Sequence, residues 1–189
     1  MKRWLPAFIF LALGACSGLR EYESVAPSAA ALPGPDESSY RMNVGDKVRV
    51  TVYNEPTLSG EYVVAQNKMI SFPLIGDVPA ENKTGAELSN LIAEKLADGY
   101  LRAPNVSSEV VVFRPFYILG EVGRPGEYPY SPGMTVLQAI ASAEGFTYRA
   151  NKRRILIKRA GSEKEVAVDI TPSLAVYPGD TVRIAERYF

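Results

Sequence analysis

Apolar and polar positions alternate strictly over residues 47–53. Val48, Val50 and Val52 fall on one face, and Arg49, Thr51 and Tyr53 on the other. That period of two predicts a half-buried strand, fed by the turn-forming pair Gly45-Asp46. Residues 62–65 and 69–72 read as further short strands around a hairpin turn at Asn67-Lys68, and residues 74–78 continue the extended pattern. The period then changes. Leu88, Leu91, Ile92 and Leu96 form a helical stripe. Thr84 and Glu87 supply a capping box in front of it, and Gly99 follows as a stop. Residues 106–113 read as a strand, with Arg114-Pro115 as punctuation.

The pattern restarts beyond that point. Residues 116–119 predict a short strand. Residues 120–133 are rich in glycine and proline and hold a brief strand at 127–130. Thr135 and Gln138 offer a second capping box, opening a helix to about Ala143 that Gly145 ends. Residues 154–159 alternate around Ile155 and Ile157, and residues 165–170 around Val166 and Val168. The elements predict an α+β fold of two small domains, 40–114 and 115–189. Val44-Gly45-Asp46-Lys47-Val48-Arg49-Val50 and Pro178-Gly179-Asp180-Thr181-Val182-Arg183-Ile184 share one pattern. A tight turn feeding an edge-like strand accounts for both copies.

Composition narrows the chemistry. The chain has 21 basic and 21 acidic residues, which argues against a polycationic nucleic-acid binder. It has no histidine, which removes Ser-His-Asp and Cys-His catalysis and histidine metal sites. Cys16 is the one cysteine, so neither an intrachain disulfide nor a multi-thiolate metal site is expected. Acidic residues are scattered without a spacing that demands acid–base work. No catalytic residue, metal or cofactor is expected.

The N-terminus carries an address. Lys2 and Arg3 precede an apolar run over residues 4–13, then small residues and Cys16. This is the layout of a signal peptide, too short for a permanent span. Leu13-Gly14-Ala15-Cys16 resembles the bacterial lipobox, in which the cysteine is acylated and becomes the first residue. Residues 1–15 are then a signal peptide and 16–39 a lipid anchor with a linker rich in proline, alanine and serine. Loss of Lys2 and Arg3 leaves a net charge of −2. Ser17, rather than aspartate, follows the cysteine. By resemblance to the enterobacterial sorting rule, this implies the outer membrane.

Other features invite a sharper reading beside a plain one. Gly120, Gly123 and Gly126 are spaced Gly-x-x-Gly-x-x-Gly, interrupted by Pro125, and read as a turn rather than a phosphate cradle. Gly126 and Gly145 are expected at positive φ. Arg149, Lys152, Arg153, Arg154, Lys158 and Arg159 fall in an acid-free stretch. A solvated strand face is the plain reading, and a positive rim for an acidic polysaccharide the sharper one. Tyr117, Tyr128 and Tyr130 flank the glycine-rich loop and are candidate sugar-stacking rings with Arg149, Arg153 and Arg154. The terminal Tyr188-Phe189 is read as chance rather than a barrel end.

A longer series of motifs stands in one order: Gly45-Asp46-x-Val48; Leu58-Ser59; Ile70-x-Phe72-Pro73-Leu74-Ile75-Gly76; Leu88 and Leu96; Pro104-Asn105-Val106; Gly120-Glu121-Val122-x-x-Pro125-Gly126-x-Tyr128; Thr135-Val136-Leu137-x-Ala139-Ile140; Pro178-Gly179-Asp180. This series resembles the Wza-type outer-membrane polysaccharide export family. Residues 40–114 resemble its polysaccharide-export domain and residues 115–189 its SLBB domain, a β-grasp module. Asn67-Lys68 stands where that family commonly has Asp-Gly. The chain ends without the second SLBB domain and C-terminal amphipathic helix of larger relatives, so it resembles a short form.

The resemblance implies a lipoprotein on the periplasmic side of the outer membrane. Copies would form a ring guiding capsular or exopolysaccharide. Implied partners are an inner-membrane co-polymerase and a separate outer-membrane barrel. The alternative is a monomeric lipoprotein that holds glycan or peptidoglycan without a conduit.

Overall fold

The computed structural model describes residues 40–187. The lipobox at Cys16, the linker and Tyr188-Phe189 lie outside the described residues. Two units follow one another, each with its own sheet, helix and apolar core.

In the first unit, β1 (Lys47–Val52) lies between β2 (Gly60–Val63) and β5 (Val106–Val112), antiparallel to both. Val48, Val50 and Val52 are buried as their alternation requires, while Arg49 and Thr51 face out. β3 (Met69–Phe72) and β4 (Gly76–Pro79) form a separate hairpin whose Ile70↔Val78 pair points into the same core. α1 (Gly85–Ala97) closes that core with Leu88, Ile92 and Leu96. Its capping box forms as the sequence implies: the Glu87 amide donates to Thr84 Oγ1 at 3.2 Å, and the Thr84 amide to Glu87 Oε2 at 2.9 Å.

Pairing differs from the expected hairpin. A tight turn does form at Asn67-Lys68, with the Lys68 amide donating to the Ala65 carbonyl at 2.8 Å. The flanking strands nevertheless enter different sheets, β2 beside β1 and β3 beside β4. Residues 74–78 are not continuously extended either. Leu74 has φ +69° at the tip of the β3–β4 hairpin, a left-handed conformation that costs a non-glycine residue free energy.

The second unit has strand order β7-β6-β10-β8-β9. The strands are β6 (Phe116–Gly120), β7 (Gly126–Tyr128), β8 (Arg154–Lys158), β9 (Glu165–Asp169) and β10 (Thr181–Ile184). Only β6 and β10 are parallel. α2 (Val136–Ser142) packs Val136, Ala139 and Ile140 against Phe116, Ile118, Ile155, Val182 and Ile184. Its capping box at Thr135 and Gln138 also forms. A mixed sheet with a parallel central pair and one helix on its face is a β-grasp arrangement, and the whole is α+β. Both Gly-Asp turns feed central strands, β1 and β10, rather than the edge-like strands expected. A central strand bonds on both sides, so its position is fixed by partners distant in sequence.

The connector between the units is a clasp rather than mere punctuation. The Arg114 amide donates to Asp46 Oδ1 at 2.9 Å, and its Nε donates to the Pro178 carbonyl at 3.0 Å. The Gly179 amide donates to the Pro115 carbonyl at 2.9 Å. Phe113 meets Tyr40 edge-on at 4.9 Å and Tyr130 at 5.4 Å, tying aromatic residues of both units together.

Candidate functional site

The two Gly-Asp turns share a geometry. Asp46 and Asp180 each donate a backbone N–H to the carbonyl three residues earlier, Asn43 and Tyr177, at 3.1 Å. Each carboxylate returns the bond: Oδ2 accepts from the Asn43 amide at 2.7 Å and from the Tyr177 amide at 2.8 Å. The preceding glycines sit at φ +94° and +81°, where a side chain would be strained. Both carboxylates are buried, Asp46 at 0% and Asp180 at 1% exposure.

They differ in how burial is compensated. Asp46 also accepts from the Tyr40 hydroxyl at 2.7 Å and the Arg114 amide, so both its oxygens are occupied. Burial, then the Asp46 charge, pushes the Tyr40 hydroxyl far above its ordinary range. Asp180 Oδ2 takes the Arg159 guanidinium, but Oδ1 forms no hydrogen bond among the described residues. Burial raises the Asp180 pKa, while Arg159 and the Tyr177 amide pull it down without cancelling the shift.

This raised pKa sets a pH dependence. Folded Asp180 binds its proton more tightly than the unfolded chain does. Its contribution to stability therefore falls as pH rises from about 4, the unfolded value, through the raised folded value. In melting curves across this window, the advantage of the native chain over Asp180→Asn should shrink with rising pH. A difference that grows with pH would contradict the burial argument.

A cleft of about 350 Å³ opens where the units meet. Tyr40, Arg41 and Arg114 line it from one side, and Arg159, Tyr177 and Asp180 from the other. The Arg159 guanidinium lies 4.5 Å over the Tyr177 ring while holding Asp180, so its plane is fixed by two contacts. Arg41 is tied at the mouth to Glu87, at 3.0 Å, and to the Asn82 carbonyl. Arg114 Nη1 is buried without a hydrogen-bond partner among the described residues. Arg114 and Asp180 thus each line the cleft while keeping one polar atom buried behind its surface.

The sequence-selected residues are distributed more widely. Tyr117 lies on the outer face of the β-grasp sheet and is 40% exposed. Tyr128 stacks on Phe116 at 6.0 Å, and its hydroxyl donates to the Arg124 carbonyl. Tyr130 packs on Phe113. Those two rings are thereby engaged in packing. Arg149 pairs with Glu186 at 2.7 Å, Arg154 with Asp169 at 2.9 Å, and Arg159 with Asp180. These acids arrive from β9, the turn before β10 and the chain after β10, so the basic stretch is laced with ion pairs that its own sequence does not contain. Arg153 has no acidic partner among the described residues. The structure therefore does not gather the selected tyrosines and arginines into one site. Sequence reasoning missed Arg114, Tyr177 and the exposed Tyr148, at 81%. The Gly-Asp repeat beside Tyr177 was the available signal for the cleft.

The selected glycines also separate. Gly45, Gly120, Gly145 and Gly179 adopt positive φ. Gly126, expected there as well, does not: it begins β7 beyond Pro125 and pairs with Ile118. Its turn role is taken by Gly120, which leaves β6 at φ +87°.

Comparison with known proteins gives two consecutive matches. Residues 34–111 match the polysaccharide biosynthesis/export protein family, and residues 115–168 match the SLBB domain. The chain therefore carries a polysaccharide biosynthesis/export domain followed by an SLBB domain. It is also 36% identical over 159 residues to the exopolysaccharide production protein ExoF of Rhizobium meliloti (strain 1021). That alignment takes in 78% of this chain and 37% of ExoF, so the chain spans little more than a third of that relative. The match boundary falls at the Arg114 connector, where the two sheets separate. Among the described residues no helix is long and apolar enough to cross a membrane, and no acidic or thiol cluster could hold a metal ion.

Proposed function

We propose that this protein is a lipid-anchored periplasmic component of exopolysaccharide export, working as an oligomeric ring with an inner-membrane co-polymerase and an outer-membrane barrel. The observation that carries this reading is the pair of family matches, export domain then SLBB domain, along one chain. The likeness to ExoF supports polysaccharide as the cargo. The lipobox supports anchorage, since several acyl chains on Cys16 hold a protein at a membrane where one would not.

Association of copies has support in the first unit. The outer face of its sheet carries the ion pairs Arg49–Glu61 and Arg49–Glu109, flanked by Val63 and Val112, each about half exposed. Contact between unlike faces of successive copies closes into a ring when the rotation allows. The purified lipoprotein in mild detergent should therefore have the mass of a closed oligomer; a monomer at high concentration would contradict the ring.

Anchorage has its own test. Cys16→Ser should abolish palmitate labelling and release or mislocalise the protein, while residues 40–187 keep their fold. Labelling of the variant equal to that of the native chain would contradict acylation at Cys16.

A further inference from the structure

We propose that the end of the second unit carrying Tyr148 is a docking surface for anionic phospholipid, so that this unit rests against a membrane. Tyr148, Arg149, Lys152, Arg153, Arg154 and Arg187 are all exposed there. Strand direction brings them together. β10 ends at Ile184, β8 begins at Arg154, and the two are antiparallel, so residues 147–154 and 185–187 meet at one end of the sheet. The Ala150↔Glu186 bridge joins them, and the Arg187 amide donates to the Arg149 carbonyl at 2.8 Å. The clasp to the first unit, at Pro178 and Gly179, is at the opposite end of β10. The two segments hold five cations and one acid, Glu186. Glu186 takes Arg149, and Asp169 of β9 takes Arg154, but Lys152 and Arg153 have no acidic partner among the described residues.

The partner class follows from what the patch offers. Tyr148 is the most exposed large side chain with an apolar body among the described residues. A tyrosine ring suits the headgroup layer of a bilayer, apolar on its faces and polar at its tip. Each Lys or Arg held near an anionic leaflet strengthens attachment by about a factor of five. A protein partner would need an apolar centre to its interface. The apolar neighbours of Tyr148 do not supply one, because Ala150 is buried and Phe146 packs against the core. The loop is also held in place. The Thr147 hydroxyl donates to Glu121, and Asn151 Oδ1 accepts from the Arg153 and Arg154 amides at 3.0 and 3.1 Å. Docking therefore needs no ordering of this backbone. An anchor at Cys16 would keep a membrane within reach of the patch, but the patch itself does not depend on it.

Tyr148→Trp supplies a reporter, since Trp4 is the one tryptophan and falls in the expected signal peptide. The purified full chain is added to vesicles of brominated phosphatidylcholine, alone or mixed with phosphatidylglycerol. The reporter's emission should shift to the blue and be quenched on the mixed vesicles, stay unchanged on phosphatidylcholine alone, and recover in high salt. Adding Lys152→Glu with Arg153→Glu should lower the ratio of docked to free chains about twentyfold or more. If the reporter variant fails to fold, the native chain still decides: Lys152 should react more slowly with an amine reagent on mixed vesicles than on phosphatidylcholine. The comparison of the two vesicles is the same whether or not Cys16 is acylated.

Equal quenching on the two vesicles, none on either, or undiminished quenching after charge reversal at Lys152 and Arg153 would overturn the surface. So would a soluble acidic polymer, polygalacturonate, that shifts the reporter where anionic vesicles do not. Any of these removes the docking surface and leaves anchorage at Cys16 and the export reading to their own tests.

Discussion

Gly120→Ala should destabilise the second unit by about 2–4 kcal/mol. Two costs coincide there. The φ of +87° is strained for any L side chain by about 1 kcal/mol or more. A Cβ built at Gly120 would also lie 2.0 Å from the Ile184 carbonyl oxygen, on the parallel partner strand β10. That oxygen accepts from the Glu121 amide at 3.0 Å, so it cannot move without opening the central β6–β10 pair. Overpacking against backbone adds about 1–3 kcal/mol. For a unit of this size the melting temperature should fall by about 8 °C or more. Gly145→Ala, at φ +79° with no atom within 4 Å, should cost only about 1 kcal/mol. Gly126→Ala, with ordinary φ, should cost less than Gly120→Ala by several-fold. Equal melting temperatures for the three variants would contradict the assignment of Gly120 as the point of closest strand approach.

Asp46→Ala should cost at least about 3 kcal/mol, and its effect should reach both units. The substitution orphans the Asn43 amide, the Arg114 amide and the Tyr40 hydroxyl together, and Asp46 itself is wholly buried. Each buried group left unsatisfied costs about 1–3 kcal/mol. Because Arg114 also holds the Pro178 carbonyl, loss of its amide bond should loosen the connector as well as the turn. Urea unfolding should show a lowered midpoint, and amide exchange should quicken at both Arg114 and Gly179. Tyr40→Phe removes one donor and leaves Asp46 bound to two amides, so it should cost about 1 kcal/mol. A midpoint for Asp46→Ala within experimental error of native would show that the turn is held by its backbone alone.

What the sequence disclosed follows the range of the interactions concerned. Both helices were legible because a capping box is complete within four residues, as at Thr84 to Glu87 and Thr135 to Gln138. The alternation of Val48, Val50 and Val52 disclosed which face of β1 is buried. Pairing was not legible, because nothing local to Asn67-Lys68 states that β2 turns to β1 while β3 turns to β4. The left-handed tip at Leu74 was hidden for the same reason: a leucine does not advertise positive φ.

At the junction, the Gly-Asp repeat was visible in the sequence. The different fates of its two carboxylates were not. Asp46 is satisfied by a tyrosine six residues away and an amide 68 residues away, whereas Asp180 depends on Arg159 across the sheet. Tyr128 looked available because it lies near a glycine-rich loop, but a ring's exposure depends on what stacks on it, here Phe116. The basic stretch looked like a rim because the acids that pair with it come from other strands.

We propose that this chain serves export rather than synthesis of polysaccharide. The most direct measurement follows labelled sugar in cells lacking the gene, separating lipid-linked repeat units from polymer at the surface. Repeat units should still be made while surface polymer is lost, and the native gene should restore it. Surface polymer at the native level, or disappearance of the repeat unit itself, would contradict it.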